Sequence, residues 1–221
     1  MKTKSSSILV LLMLLVLIEG IANAQTFVDL DLPSGTLWAD RNVGAASPED
    51  YGDYFAWGET TTKSNYEWLN YKYVKGNHND RFTKYCSKSD FGNRGYTDRL
   101  TTLESSDDAA TANWGSDWCM PTRQQFQELK DNCTWTWTTR NGKSGYEVKG
   151  KNGNSIFLPA ADNIINTDLS DAGVFGYYWS SSLATDKPSF ARCLCFESDS
   201  VIPGSVFARR CGLSVRAVRC R

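Results

Sequence analysis

From Thr134 onward the chain is written almost entirely as short strands separated by turn residues. "TWTWTT" alternates strictly, which places Trp135 and Trp137 on one face of a strand. "NGKSG" turns the chain. "YEVKG" and "SIFLPA" follow as strands joined through Asn152 and Gly153. "YYWSSSL", "FARCLCFES" and "LSVRAVRC" read as the last strands, with Gly204 and Gly212 marking turns between or beside them. This pattern constrains the second half to antiparallel sheet.

The first half is less regular. "TFVDLDLPSGTLWADRNVGA" reads as two strands about a Pro-Ser-Gly turn, the second running through Leu37, Trp38 and Val43. "YGDYFAWGE" reads as a short aromatic strand. From Thr60 to about Leu103 the periodicity fails, and Gly76, Asn77, Asn79, Asp80, Gly92, Asn93 and Gly95 punctuate a long segment with Tyr and Trp scattered through it. A loop of this length pinned by aromatics is often functional. Two helices are expected. "DDAATANW", Asp107 to Trp114, carries acidic residues at its positive end. The second opens at Thr122, where Thr122 and Gln125 form a T-x-x-Q capping box; Phe126 and Leu129 face inward, and the helix stops near Asn132. Strands, loops, two short helices and then a β-rich half define an α+β domain.

The amino terminus reads as a secretory signal over residues 1–24. Lys2 and Lys4 precede the apolar run "ILVLLMLLVLI", and "ANA" at Ala22 to Ala24 is a small-residue cleavage site. The expected mature chain is a single domain, residues 25–221, with no further membrane-spanning segment. Export places it in the periplasm, on the cell surface or outside the cell. The net charge of −1 argues against a nucleic-acid partner. Arg209, Arg210, Arg216, Arg219 and Arg221 crowd the carboxyl terminus, and the simplest reading is a row of outward positions on two strands.

Together, "LPSGTLWADRNVGA", "YGDYFAWGE", "WCMPTRQQFQELKDNCTWTWT", "NGNSIFLPAA", "GYYWSSSL" and "LSVRAVR" resemble the Fibrobacter succinogenes major paralogous domain, a family of exported Bacteroidetes proteins. The likeness runs from Phe27 to Arg219. It implies a fold similar to C-type lectins and formylglycine-generating enzymes, with N- and C-terminal strands paired and two helices flanking a small sheet. Related proteins on this fold include the variable receptors of diversity-generating retroelements, in which the last strands and loops are rewritten while the scaffold stays fixed. Arg192, Cys193, Cys195, Ala208, Arg210 and Cys211 stand where the resemblance leads one to expect Tyr. Adenine changes in a codon interconvert Tyr, Cys, Arg and Ser. Ordinary divergence among paralogues accounts for the same residues.

Seven cysteines leave at least one unpaired. Cys119 and Cys133 flank a helix that holds them about 15 Å apart, beyond the roughly 7 Å that a disulfide spans. Cys193 and Cys195 sit about 6.6 Å apart on one strand with parallel side chains. A cross-strand link such as Cys195 to Cys211 remains, as does a zinc site drawing on Cys193, Cys195, Cys211 and Cys220, although C-x-C is not the usual knuckle spacing. The third reading has these thiols pointing outward on a surface whose chemistry is free to vary.

No catalytic constellation stands out. The single histidine, His78, lies in the loop "GNHND". "WSSSL" is not a G-x-S-x-G elbow. Helix-start chemistry explains Asp107 and Asp108. The calcium-lectin motifs are absent, and no cofactor or metal is expected. The expected function is therefore non-enzymatic ligand binding, to a protein or a glycan. The contact surface would lie on the last strands and loops: Arg192, Cys193, Cys195, Val206, Phe207, Ala208, Arg210, Cys211 and Leu213. The alternatives are a structural cell-envelope protein and an enzyme of the formylglycine-generating kind.

Overall fold

The computed structural model describes residues 25–170 and 172–220; the predicted signal at 1–24 lies outside the described residues, as does Arg221. In chain order the elements are β1 (Phe27–Asp29), β2 (Leu37–Ala39), α1 (Ala109–Trp114), β3 (Trp118–Cys119), α2 (Arg123–Asn132), β4 (Thr134–Arg140), β5 (Lys143–Lys149) and β6 (Ser155–Pro159). There follow β7 (Asn163–Ile165), β8 (Asp168–Leu169), β9 (Gly176–Leu183), β10 (Phe190–Glu197), β11 (Ser200–Ala208), β12 (Gly212–Leu213) and β13 (Val218–Arg219). Strands outnumber helices, and every strand pair is antiparallel. No helix among the described residues is long and apolar enough to cross a membrane.

Four small sheets share the chain, in the orders β1-β2-β13-β3, β4-β5-β6, β12-β7-β8 and β11-β10-β9. The first joins the two ends of the molecule. Val218 pairs with Trp38, and Ala39 and Val43 continue the contact by donating to the carbonyls of Ala217 and Val215 at 2.9 Å each. The expected pairing of terminal strands is therefore present. The second sheet is the meander read from the sequence. Asn141 and Gly142 adopt φ of 48° and 76°, the left-handed pair that a two-residue hairpin requires. Trp135 and Trp137 share a face and both meet the Tyr146 ring edge-on, at 5.4 and 5.2 Å.

The capping box on α2 is complete. Gln125 N–H donates to Thr122 Oγ1, and Thr122 N–H donates to Gln125 Oε1 at 2.8 Å. That fixes the register in which Phe126 and Leu129 are wholly buried. α1 begins two residues later than expected. Asp108 is its cap, accepting from Thr111 N–H at 3.0 Å and from Met120 N–H at 2.8 Å. Asp107 lies in a preceding 3-10 turn, Ser105–Asp107, and does something other than capping. Its buried carboxylate accepts from Lys72 (3.0 Å), Lys84 (2.6 Å) and the Tyr85 hydroxyl (2.7 Å), while Lys84 also clasps Glu104. Burial would raise the Asp107 pKa, but these hydrogen bonds outweigh it and hold the carboxyl far below the usual range.

The aromatic strand expected at "YGDYFAWGE" is an extended segment with one bridge, Phe55 to Leu213. The long segment after it folds as the sequence implied, by burying Tyr66, Tyr71, Tyr73, Phe82 and Tyr85. Its organising group comes from elsewhere. Arg209, expected to point outward, is fully buried. Its guanidinium donates to the Tyr71 hydroxyl and to the carbonyls of Tyr85, Pro188 and Lys84 at 2.9–3.2 Å, and it lies 4.4 Å from the Phe82 ring centroid and 4.8 Å from that of Trp57. Arg216 is buried as completely, donating to Asn42 Oδ1 and to the carbonyls of Ala39, Asp40 and Phe157. The outward reading of the arginine row is thus corrected for these two. Planar guanidinium forks are tolerated inside because an oxygen acceptor, mostly a backbone carbonyl, meets every nitrogen.

Two apolar clusters form the core, and the β9–β10–β11 sheet stands between them. On β9, Trp179 belongs to one cluster and Tyr178 to the other; on β10, Ala191 and Cys193 face the first while Leu194 and Phe196 face the second. Burial on both faces explains why "FARCLCF" lacks the alternation of a surface strand.

Candidate functional site

The candidate contact surface must come from the β9–β10–β11 sheet and the turn after it. Along the outer edge of the sheet Cys195 pairs with Ile202, Cys193 with Ser205, Arg192 with Val206, Ala191 with Phe207 and Phe190 with Ala208. The register shifts between Cys193 and Cys195, opposite Pro203 and Gly204. The backbone at Gly204 passes close to Arg123 of α2, whose Nε lies 2.8 Å from where a Cβ would stand.

This geometry divides the nine predicted residues into groups. Cys193, Cys211 and Leu213 are at most 1% exposed and are removed from any contact surface. Cys193 packs in the same cluster as Trp179, and burial pushes its thiol far above the ordinary range; burial likewise pushes Cys211 up to about 11. They fill space. Arg192 and Val206 are cross-strand partners and share the face toward the start of α2. There Arg192 pairs with Asp186 at 3.2 Å and lines a shallow cavity with Arg123, Ser182 and Thr185. The single open face expected from the sequence is therefore two faces.

The remaining residues, Cys195, Phe207, Ala208 and Arg210, are half-buried. Cys195 faces the same way as Tyr177, its partner on β9, and burial pushes its thiol above the ordinary range. Phe207 meets the Tyr177 ring at 5.0 Å, and Phe175 extends the row at 6.1 Å. Arg210 ties this row to two other segments. Its Nη1 donates to the Tyr66 carbonyl at 2.7 Å and to Asn166 Oδ1 at 2.9 Å, and its guanidinium lies 5.8 Å from the Trp68 ring. Tyr66 N–H in turn donates to the Asn166 carbonyl, so the long loop, the β7–β8 hairpin and the end of β11 meet at Arg210. The joined segments carry exposed apolar side chains, Leu69 at 64% with Ile165 and Leu169 on the hairpin, and Ile202, 50% exposed, stands further along β11 opposite Cys195.

The sequence pointed to Phe207 and Arg210; Trp68, Leu69, Asn166 and Tyr177, which the structure places beside them, were not among the expected residues. The signal available was "EWLN", a large aromatic and a leucine in a polar loop; its position beside Arg210 depends on contacts more than 140 residues away in the chain, such as Arg210 to Tyr66 at a separation of 144.

The cysteine readings are corrected here too. Cys119 and Cys220 form a disulfide, joining β3 to the residue after β13 across Cα atoms 5.5 Å apart. Cys119 does not pair with Cys133, in line with the helix spacing, and the proposed Cys195–Cys211 link is absent, Cys133 and both of these thiols being free. A four-thiol zinc set loses Cys220 to the disulfide, and no group of three or more metal-ligating side chains occurs among the described residues.

Comparison with known proteins gave no matching family model, no matching curated protein and no matching solved structure.

Proposed function

We propose that this chain is an exported, non-enzymatic binding domain of C-type lectin-like architecture, holding a protein ligand on the face centred on Arg210 and Phe207. The N-terminal hairpin beside the C-terminal strand, the two flanking helices and the long aromatic-pinned segment support that architecture, and with it the resemblance to the major paralogous domain. The Cys119–Cys220 bond supports an oxidising compartment and so agrees with export.

The observation that carries the ligand reading is the exposure of Leu69, Ile165 and Leu169, between 41% and 64%, on segments that Arg210 holds together, with exposed Ile202 on the strand that carries Phe207. Exposed apolar side chains around a stacked arginine and an aromatic row are the composition of a protein-binding hot spot. If copies of the domain differ in this region, the positions free to change are Arg192, Cys195, Val206, Phe207, Ala208 and Arg210, while Cys193, Cys211 and Leu213 are held by the core.

The test is a panel of cell-surface proteins and glycans presented to the immobilised domain. Phe207→Ser, Arg210→Ala and Ile202→Ser should each weaken the captured protein at least about tenfold. A ligand indifferent to all three substitutions, or a preference for glycans at this face, overturns the assignment.

A further inference from the structure

A second concavity lies on different residues. It is an open cleft of about 530 Å³ where the approach to α1, β3, the cap of α2 and the C-terminal strand meet. That volume falls within the usual range for small-molecule sites. Asp108, Met120 and Ser181 line it while being only 4% exposed themselves, so they form its floor. The Cys119–Cys220 disulfide and Leu103 add apolar wall, and Thr102, Ser105, Thr111, Ser116, Thr122 and Gln125 surround them with hydroxyl and amide groups.

The charges decide the ligand class. Among the described residues Asp108 is the only carboxylate in the lining, and it is 4% exposed with both oxygens engaged by backbone N–H groups, so it is poorly placed to take up a cation. Among the described residues Arg219 is the only cation in the lining, and it is paired with Asp117 at 3.0 Å, which blunts its pull on an anion. The unspent groups are neutral: the hydroxyls of Thr102, Ser105 and Ser116 make no hydrogen bond within the described residues, although they stand beside groups that do. A ligand suited to this lining carries many hydroxyls on one edge and an apolar C–H face for Met120, Leu103 and the disulfide.

We propose that this cleft binds a short neutral glycan. The proposal is independent of the protein-binding reading, because the two sites share no residue. The test is an NMR titration of the intact domain with methyl glycosides of glucose, galactose, mannose and N-acetylglucosamine, and with cellobiose and maltose; glucuronate and glucosamine serve as charged controls. At least one neutral sugar should bind more tightly than the charged controls, with shifts centred on residues 102–125 and 181. Ser105→Trp and Ser116→Trp place bulk in the cleft from exposed positions that hold nothing else, and each should weaken that sugar at least tenfold without changing the melting temperature. Arg210→Ala should leave it unchanged. No neutral sugar binding more tightly than about 10 mM, stronger binding of a charged control, or binding insensitive to both tryptophans overturns the proposal.

Discussion

Replacing Cys119 and Cys220 by serine should lower stability more than replacing any other pair of cysteines in the chain. The bond closes a sequence separation of 101 residues. In the chain-entropy account, cross-linking a loop of that length removes about 4.7 kcal/mol of freedom from the unfolded chain. The strands it joins are already paired, Val218 with Cys119 and Arg219 with Trp118, so the native structure loses little when the sulfurs part. The effect therefore sits almost wholly in the unfolded state. Allowing for the usual shortfall, we expect a loss of about 3–4 kcal/mol, which for a domain of this size is about 6–16 °C in Tm. The assay is a thermal melt of the parent with and without reductant, beside Cys119→Ser, Cys220→Ser and the double variant. All three variants should melt together and match the reduced parent. A shift under about 2 °C, or an equal shift from Cys133→Ser, would refute the reasoning.

Three further outcomes follow from the buried polar groups and the packed sheet. Asp107 has a folded pKa below its unfolded value, so its contribution is present above about pH 4 and is lost as pH falls through the folded value; Asp107→Asn should cost about 2 kcal/mol at pH 7 and flatten acid unfolding below pH 4, measured by denaturant titration across pH. Arg209→Met strands the carbonyls of Tyr85, Pro188 and Lys84 and takes a donor from the Tyr71 hydroxyl, which keeps its own bond to the Trp57 carbonyl, and should destabilise by at least about 3 kcal/mol, whereas Arg210→Ala should lie within about 1 kcal/mol of the parent in the same chemical melt. Gly176→Ala would set a Cβ 2.0 Å from the Phe196 ring, which is 1% exposed and has nowhere to go; a loss of about 3 kcal/mol is expected by the same measurement.

What the sequence made legible was local. The T-x-x-Q box at Thr122, the turn read at "NGKSG" and the Trp135–Trp137 face each depend on residues within a few positions of one another, and each is present, the turn being tighter than the reading and confined to Asn141 and Gly142. What it hid was long-range. Nothing near Arg209 or Arg216 announces burial, because the carbonyls that satisfy them come from segments brought together only in the folded chain. The Cys119–Cys220 bond depends on β3 and β13 becoming neighbours. Period-two reasoning placed Cys193 and Cys195 on one face, but it could not tell that the core cluster on that face covers Cys193 and leaves Cys195 half open. Asp107 looked like a helix start because an acidic residue at that place usually is one; its partners, Lys72 and Lys84, lie in the segment with no periodicity to read.

The account rests on a division within the last strands: most of their side chains are frame, and a few are display. Timed thiol labelling of the native, unreduced protein with a small disulfide reagent, followed by peptide mass mapping, tests that division residue by residue. Cys195 and Cys133 should react in the folded state, while Cys86, Cys193 and Cys211 should react only on unfolding. Native labelling of Cys193 or Cys211 at the rate of Cys195 would put the supposed frame on the surface and contradict the account.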